Sequence, residues 1–136
     1  MKLKRIVLLR RDSERLGTLL LEQTDVPAAI IQLLDDKLSR AKLVDSHDEA
    51  ANIVTMGSVV VVRRPPQSRV RQLRLVYPDD AAPTQGSVSV LSPLGVCVLG
   101  HLEGEVCDVG DMDFLDGTSV ESVNRAPLAR AGGDNR

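Results

Sequence analysis

Ile6, Val7, Leu8 and Leu9 form the first apolar run, a short strand-like stretch behind the basic start Met1-Lys2-Leu3-Lys4-Arg5. The pattern then lengthens to a helical period. Asp12 or Ser13 offers an N-cap, and Leu16, Leu19 and Leu20 make one stripe, so a helix is predicted to about Gln23. Thr24-Asp25-Val26-Pro27 reads as a stop and a restart, with Thr24 or Asp25 as cap and Pro27 in the first turn that follows. A second helix is expected from Pro27 to Lys42, where Ile31, Leu34, Leu38 and Ala41 repeat at 3-4-3 spacing and give a seam for one partner helix. So short a connection makes the two helices antiparallel neighbours, a helical hairpin.

Past Val44 the period changes again. Val54–Val62 and Val70–Tyr77 are rich in β-branched residues and bounded by proline and glycine, which predicts strands. Gly86–Leu91 is a short third strand. Ser92-Pro93 then caps and opens a nearly all-apolar helix through Leu99, with Gly100 as its left-handed stop, and such a helix belongs against a sheet. Glu105–Val109 and Thr118–Val123 are expected to close the sheet. The fold class predicted is α+β: a short antiparallel helical hairpin over 1–44, an antiparallel sheet wrapped on one short helix over 45–124, and a tail over 125–136 rich in Ala, Gly and Arg.

Composition narrows the functions available. The chain has 136 residues and a net charge of −2, which argues against coating nucleic acid through overall charge. With Tyr77 and Phe114 as the sole aromatics, neither a base-stacking platform nor an aromatic-walled pocket can be assembled. Charge is unevenly spread, however: residues 63–74 carry five arginines and no acid. Arg63, Arg64, Arg69, Arg71 and Arg74 could touch DNA or an acidic protein weakly, but the outer face of a strand–turn–strand unit around Pro65-Pro66-Gln67-Ser68 is the favoured explanation. Cys97 and Cys107 lack CxxC spacing and read as reduced thiols, Cys97 packed as a small hydrophobe. The apolar stretch near the start is too short for a signal peptide and no run reaches membrane-spanning length, so a cytoplasmic protein without membrane contact is expected.

Catalytic signatures are missing. Neither a phosphate-binding glycine motif, nor HExxH, nor a nucleophile elbow occurs. His47 lies in the polar stretch Asp45-Ser46-His47-Asp48-Glu49, and His101 follows Gly100 with too few companions for zinc. The acid pairs Asp35-Asp36 and Asp79-Asp80, and the alternating Asp111, Asp113 and Asp116, fit a solvent-facing helix surface, a turn and a loop. No catalytic residue, metal site or cofactor is assigned, and a binding module is expected rather than an enzyme.

Val54-Thr55-Met56-Gly57-Ser58, Leu75-Val76-Tyr77-Pro78, Ser87-Val88-Ser89-Val90-Leu91-Ser92-Pro93-Leu94-Gly95, Leu99-Gly100 and Gly104-Glu105 occur in that order. Together they resemble the regulator of nucleoside diphosphate kinase (Rnk) family, related to the GreA/GreB transcript-cleavage factors, over about Arg11 to Val123. The resemblance implies an FKBP-like domain behind the hairpin and a bacterial protein that binds core RNA polymerase at the rim of its secondary channel. The family's polymerase-contacting turn matches Ser92 and Pro93, with Ser89, Leu91 and Leu94 around it. Leu91 stands where Gre factors often carry Asp or Asn, and Asn124-Arg125-Ala126-Pro127 replaces a Gln-Pro-Glu-like ending.

In the Gre factors, transcript cleavage needs carboxylates at the tip of a long coiled coil to hold a metal ion in the polymerase centre. Here the tip is Glu22-Gln23-Thr24-Asp25 on a first helix of roughly 11–12 residues, a reach of about 17 Å. The resemblance therefore implies a non-catalytic regulator that competes with Gre-type factors. A cleavage factor using Glu22 and Asp25, or an interaction module with a different partner, are the alternatives. Prolyl isomerisation, which FKBP-like folds suggest, lacks its aromatic pocket.

Overall fold

The computed structural model describes residues 6–23, 25–63, 70–107 and 118–125. Val7–Leu9 form β1, all three residues buried, and the chain passes directly into α1, Arg10–Glu22. After residues 23–27 it returns as α2, Ala28–Arg40, which packs on α1 and ends in β2, Lys42–Val44. Strands β1 and β2 pair in parallel with Val7 opposite Lys42, so both helices spring from one base.

Four expectations change here. Leu9 rather than Asp12 or Ser13 takes the N-cap position of α1, with no side-chain cap, because Asp12 turns inward to another partner. Pro27 is the N-cap of α2, again without a side-chain cap, so Asp25 does not act as one. The second helix stops at Arg40, since pairing Leu43 and Val44 with β1 outweighs the local preference for another helical turn. Its deepest stripe is Ile30, Leu34 and Lys37, which keeps Leu34 of the predicted seam but takes Ile30 and Lys37 in place of Ile31 and Leu38, while Leu38 and Ala41 pack at the margin.

The four-stranded sheet has the order β5-β4-β3-β6, with β3 at Ser58–Arg63, β4 at Val70–Val76, β5 at Ser87–Ser89 and β6 at Ser119–Arg125. β3 pairs antiparallel with β4 and with β6, but β5 runs parallel to β4. The sheet is therefore mixed, not antiparallel throughout. The chain leaves β4 through 3-10 turns at Pro78–Asp80 and Pro83–Gln85, and this ten-residue excursion lets it return in the same direction. β3 begins at Ser58 instead of Val54, because Gly57, at φ +88°, turns the chain and donates its N–H to Leu75 O. Of the predicted strand 105–109, the described part makes one isolated bridge, Val106 to Ser119.

Helix α3, Pro93–Val98, is buried along Leu94–Val98 and ends before Gly100 at φ +84°. One apolar cluster runs through the molecule: Leu16, Ile30 and Leu34 from the helical pair meet Val60, Val62, Leu73 and Leu75 from the sheet, and Val96–Leu99. Strict alternation of buried and half-buried residues along β3 places its second face outward. No helix among the described residues is long and apolar enough to cross a membrane.

Candidate functional site: the Ser89–Leu94 turn and the helical arm

The turn before α3 is built by two serines. Ser92 Oγ donates to Ser89 O at 2.7 Å and accepts the Gly95 N–H at 3.1 Å, which satisfies one orphan donor of the first helical turn. Ser89 Oγ accepts the Leu91 N–H at 3.0 Å. Pro93 occupies the first helical position, where its missing N–H and fixed φ cost nothing. Leu91 and Leu94 are only 9% and 7% exposed, so they anchor the turn, and Ser89, Ser92 and Pro93 supply its accessible surface. Gly95 allows this closeness: a Cβ there would lie 2.0 Å from Ser89 O.

At the far end of the arm, Glu22 and Asp25 are exposed and Gln23 is half-buried, while Thr24 lies outside the described residues. Leu21, beside them, is 88% exposed. The C-terminal half of α1 faces the Tyr77–Asp79 turn across a groove of about 440 Å³ lined by Glu14, Arg15, Leu19, Glu22, Tyr77 and Asp79. Arg15 lies 4.2 Å from the Tyr77 ring centre, a cation–π contact that ties helix to turn. Burial raises the Tyr77 hydroxyl to about 12, so it stays protonated.

Two buried ionisable groups secure the base of the arm, and sequence reasoning missed both roles. Asp12, 5% exposed, accepts the Met56 N–H at 3.1 Å, and burial pushes its carboxyl above the usual range. Lys37, 2% exposed, donates to the carbonyls of Val96, Cys97 and Leu99 at 2.7, 2.9 and 2.6 Å. Burial pulls its amine down to about 8. The available signal was a lysine at the third position of the Ile30, Leu34 stripe, which helical spacing puts on the inner face.

The remaining candidates scatter. Arg63 reaches Glu121 at 3.7 Å, and Arg71 and Arg74 are exposed on opposite pleats of β4; Arg64 and Arg69, with the turn predicted at Pro65–Ser68, lie outside the described residues. His47 accepts from Arg11 at 2.9 Å through its unprotonated Nε2, and buried His101 pairs with Glu105 at 3.0 Å. Cys97 and Cys107 are both buried without a disulfide, and the Cys107 thiol points at Cys97 O. Among the described residues no three His, Cys, Asp or Glu side chains converge as a metal site would require; Asp111, Asp113 and Asp116 lie outside them.

These features can be set beside known proteins. Residues 49–112 match the family described as "Transcription elongation factor, GreA/GreB, C-term". The regulator of nucleoside diphosphate kinase from Escherichia coli is 31% identical over 94 residues, 69% of each chain. The chain belongs to the Rnk family, relatives of GreA and GreB. Its fold agrees: a GreA/GreB structure from Nitrosomonas europaea superposes with a TM-score of 0.70 at 29% identity, covering 90% of this chain and 99% of that one. GreA from Solidesulfovibrio magneticus is 30% identical over 84 residues, 62% of this chain and 51% of that protein. This Rnk-family chain thus spans about half the length of that GreA relative.

Proposed function

We propose that this Rnk-family chain is a non-catalytic transcription regulator that docks on core RNA polymerase at the rim of the secondary channel and competes there with Gre-type factors without stimulating transcript cleavage. The observation that carries this reading is the length of the arm. β1 and β2 pair at its base, so the excursion is limited to two helices of 13 residues, each about 20 Å long. That is short of the long coiled coil on which Gre-type cleavage depends, and the tip segment Glu22-Gln23-Thr24-Asp25 carries two carboxylates, Glu22 and Asp25. In this reading residues 45–124 form the FKBP-like gripping domain and residues 1–44 the short arm; Arg125, assigned to the tail from the sequence, is instead the last residue of β6. Contact centres on Ser92 and Pro93, set by the two serines of the turn, with Ser89 beside them and Leu91 and Leu94 holding the turn from beneath. The exposed Arg71 and Arg74 add, at most, a weak contact to DNA.

Core RNA polymerase immobilised on resin should retain the chain, and Pro93→Ala or Ser92→Arg should weaken that retention. Ser92→Arg also removes a helix cap at about 1 kcal/mol, so thermal unfolding is followed in parallel. Added to backtracked elongation complexes, the protein should release no short 3′ RNA fragments and should slow their release by a Gre factor. Fragment release by this chain alone would overturn the proposal in favour of a cleavage factor.

A further inference from the structure

We infer that Lys37 is a positioning residue: its ammonium locks the helical arm to the C-terminal end of α3 and thereby fixes the arm tip relative to the Ser92–Pro93 turn. The inference rests on the docking reading above and names the residue that sets its geometry. All three N–H donors of Lys37 are used, each on a carbonyl of residues 96–99. These are the carbonyls that the last turn of a helix leaves unpaired, at the negative end of its dipole. No carboxylate takes part in these three bonds, so the contact answers to the position of α3 itself.

Helix α3 behaves as a short rod of about 9 Å. Its first end is pinned by Ser92 to Ser89, and its last end by Lys37 to α2. Rotating the arm therefore drags the rod that carries the turn. Apolar packing of Leu34 against the core is tolerant of small slides, whereas three short bonds to fixed carbonyls are not. Stability is a poor reason for this lysine, because burying a charge is costly and a methionine fills similar space without it. Buried charge instead defines one arrangement among several of similar energy. Reactivity is a poor reason too, since every donor is occupied and the amine is shut off from solvent.

The test uses the full chain with spin labels on Leu21→Cys in α1 and Gln72→Cys on β4, both exposed, while the native cysteines stay buried. Pulsed electron-resonance distances should be narrow with Lys37 present and broad or shifted in folded Lys37→Met. A role confined to stability would move the unfolding midpoint and leave the distance distribution of the folded chain alone. Where Lys37→Met does not fold, Lys37→Gln, which retains one amide donor group, takes its place. An unchanged distribution in the folded variant overturns the inference. Polymerase affinity is measured separately: if only one molecule in ten holds the docking geometry, apparent affinity falls about tenfold. Broadening without any loss of affinity overturns the positioning role. Failure of the unsubstituted chain to bind polymerase at all sinks the docking reading alone, since the distance measurement contains no polymerase.

Discussion

Gly95 is the position where a single methyl group should do most damage. A Cβ built there lies 2.0 Å from Ser89 O, 2.8 Å from Ser89 C and 3.0 Å from Val90 Cα, all backbone atoms that cannot swing aside. Restoring an ordinary contact of 3.4 Å requires α3 and the β5 turn to separate by about 1.4 Å. That movement stretches the Gly95 N–H bond to Ser92 Oγ and the Ser92 bond to Ser89 O beyond useful length. Overpacking of a tight core costs about 1–3 kcal/mol, and two lost hydrogen bonds add about 1 kcal/mol each. Gly95→Ala should therefore lose about 3–5 kcal/mol in urea unfolding, seen as a lower midpoint at unchanged slope. A loss smaller than about 1 kcal/mol, in the range of ordinary surface substitutions, would refute the claim that the turn and α3 are held this closely.

Two further outcomes follow from the same packing. Gly17→Ala, inside α1 with nothing within 4 Å of the added carbon, should stabilise the protein by about 0.5–1 kcal/mol in the same urea assay, because alanine relieves the entropic penalty of glycine in a helix. Lys37 predicts an unusual pH profile. Its folded value is about 8 against 10.5 for the free side chain, so between those pH values the unfolded chain holds more protons. Stability should accordingly rise with pH across that window, by up to about 3 kcal/mol, measured as the difference between native and Lys37→Met unfolding free energies. A difference that stays flat from pH 8 to 10.5 would contradict the cost assigned to the buried charge.

Local chemistry made several elements legible in the chain alone. β4 was placed to within one residue because Pro78 stops it, and α3 to within one residue because Ser92-Pro93 and Gly100 mark its ends with side chains and backbone preferences of their own. The family resemblance rested on the same stretch, and the match over residues 49–112 covers it. The Ser92 cap was visible for that reason, since donor and acceptor lie three residues apart.

What tertiary structure decided is everything whose partner lies far along the chain. Lys37 looks like a solvated lysine until the carbonyls 59 to 62 residues away are brought over it. Asp12 has the right residue type for a cap, yet a backbone N–H 44 residues on competes for its carboxylate and wins. The parallel direction of β5, and the pairing of 42–44 as a strand where the predicted helix ran on to Lys42, depend on which edge each segment meets. Periodicity records which face of an element turns inward, but not what stands opposite it, and a buried charge or an edge strand is defined by what stands opposite.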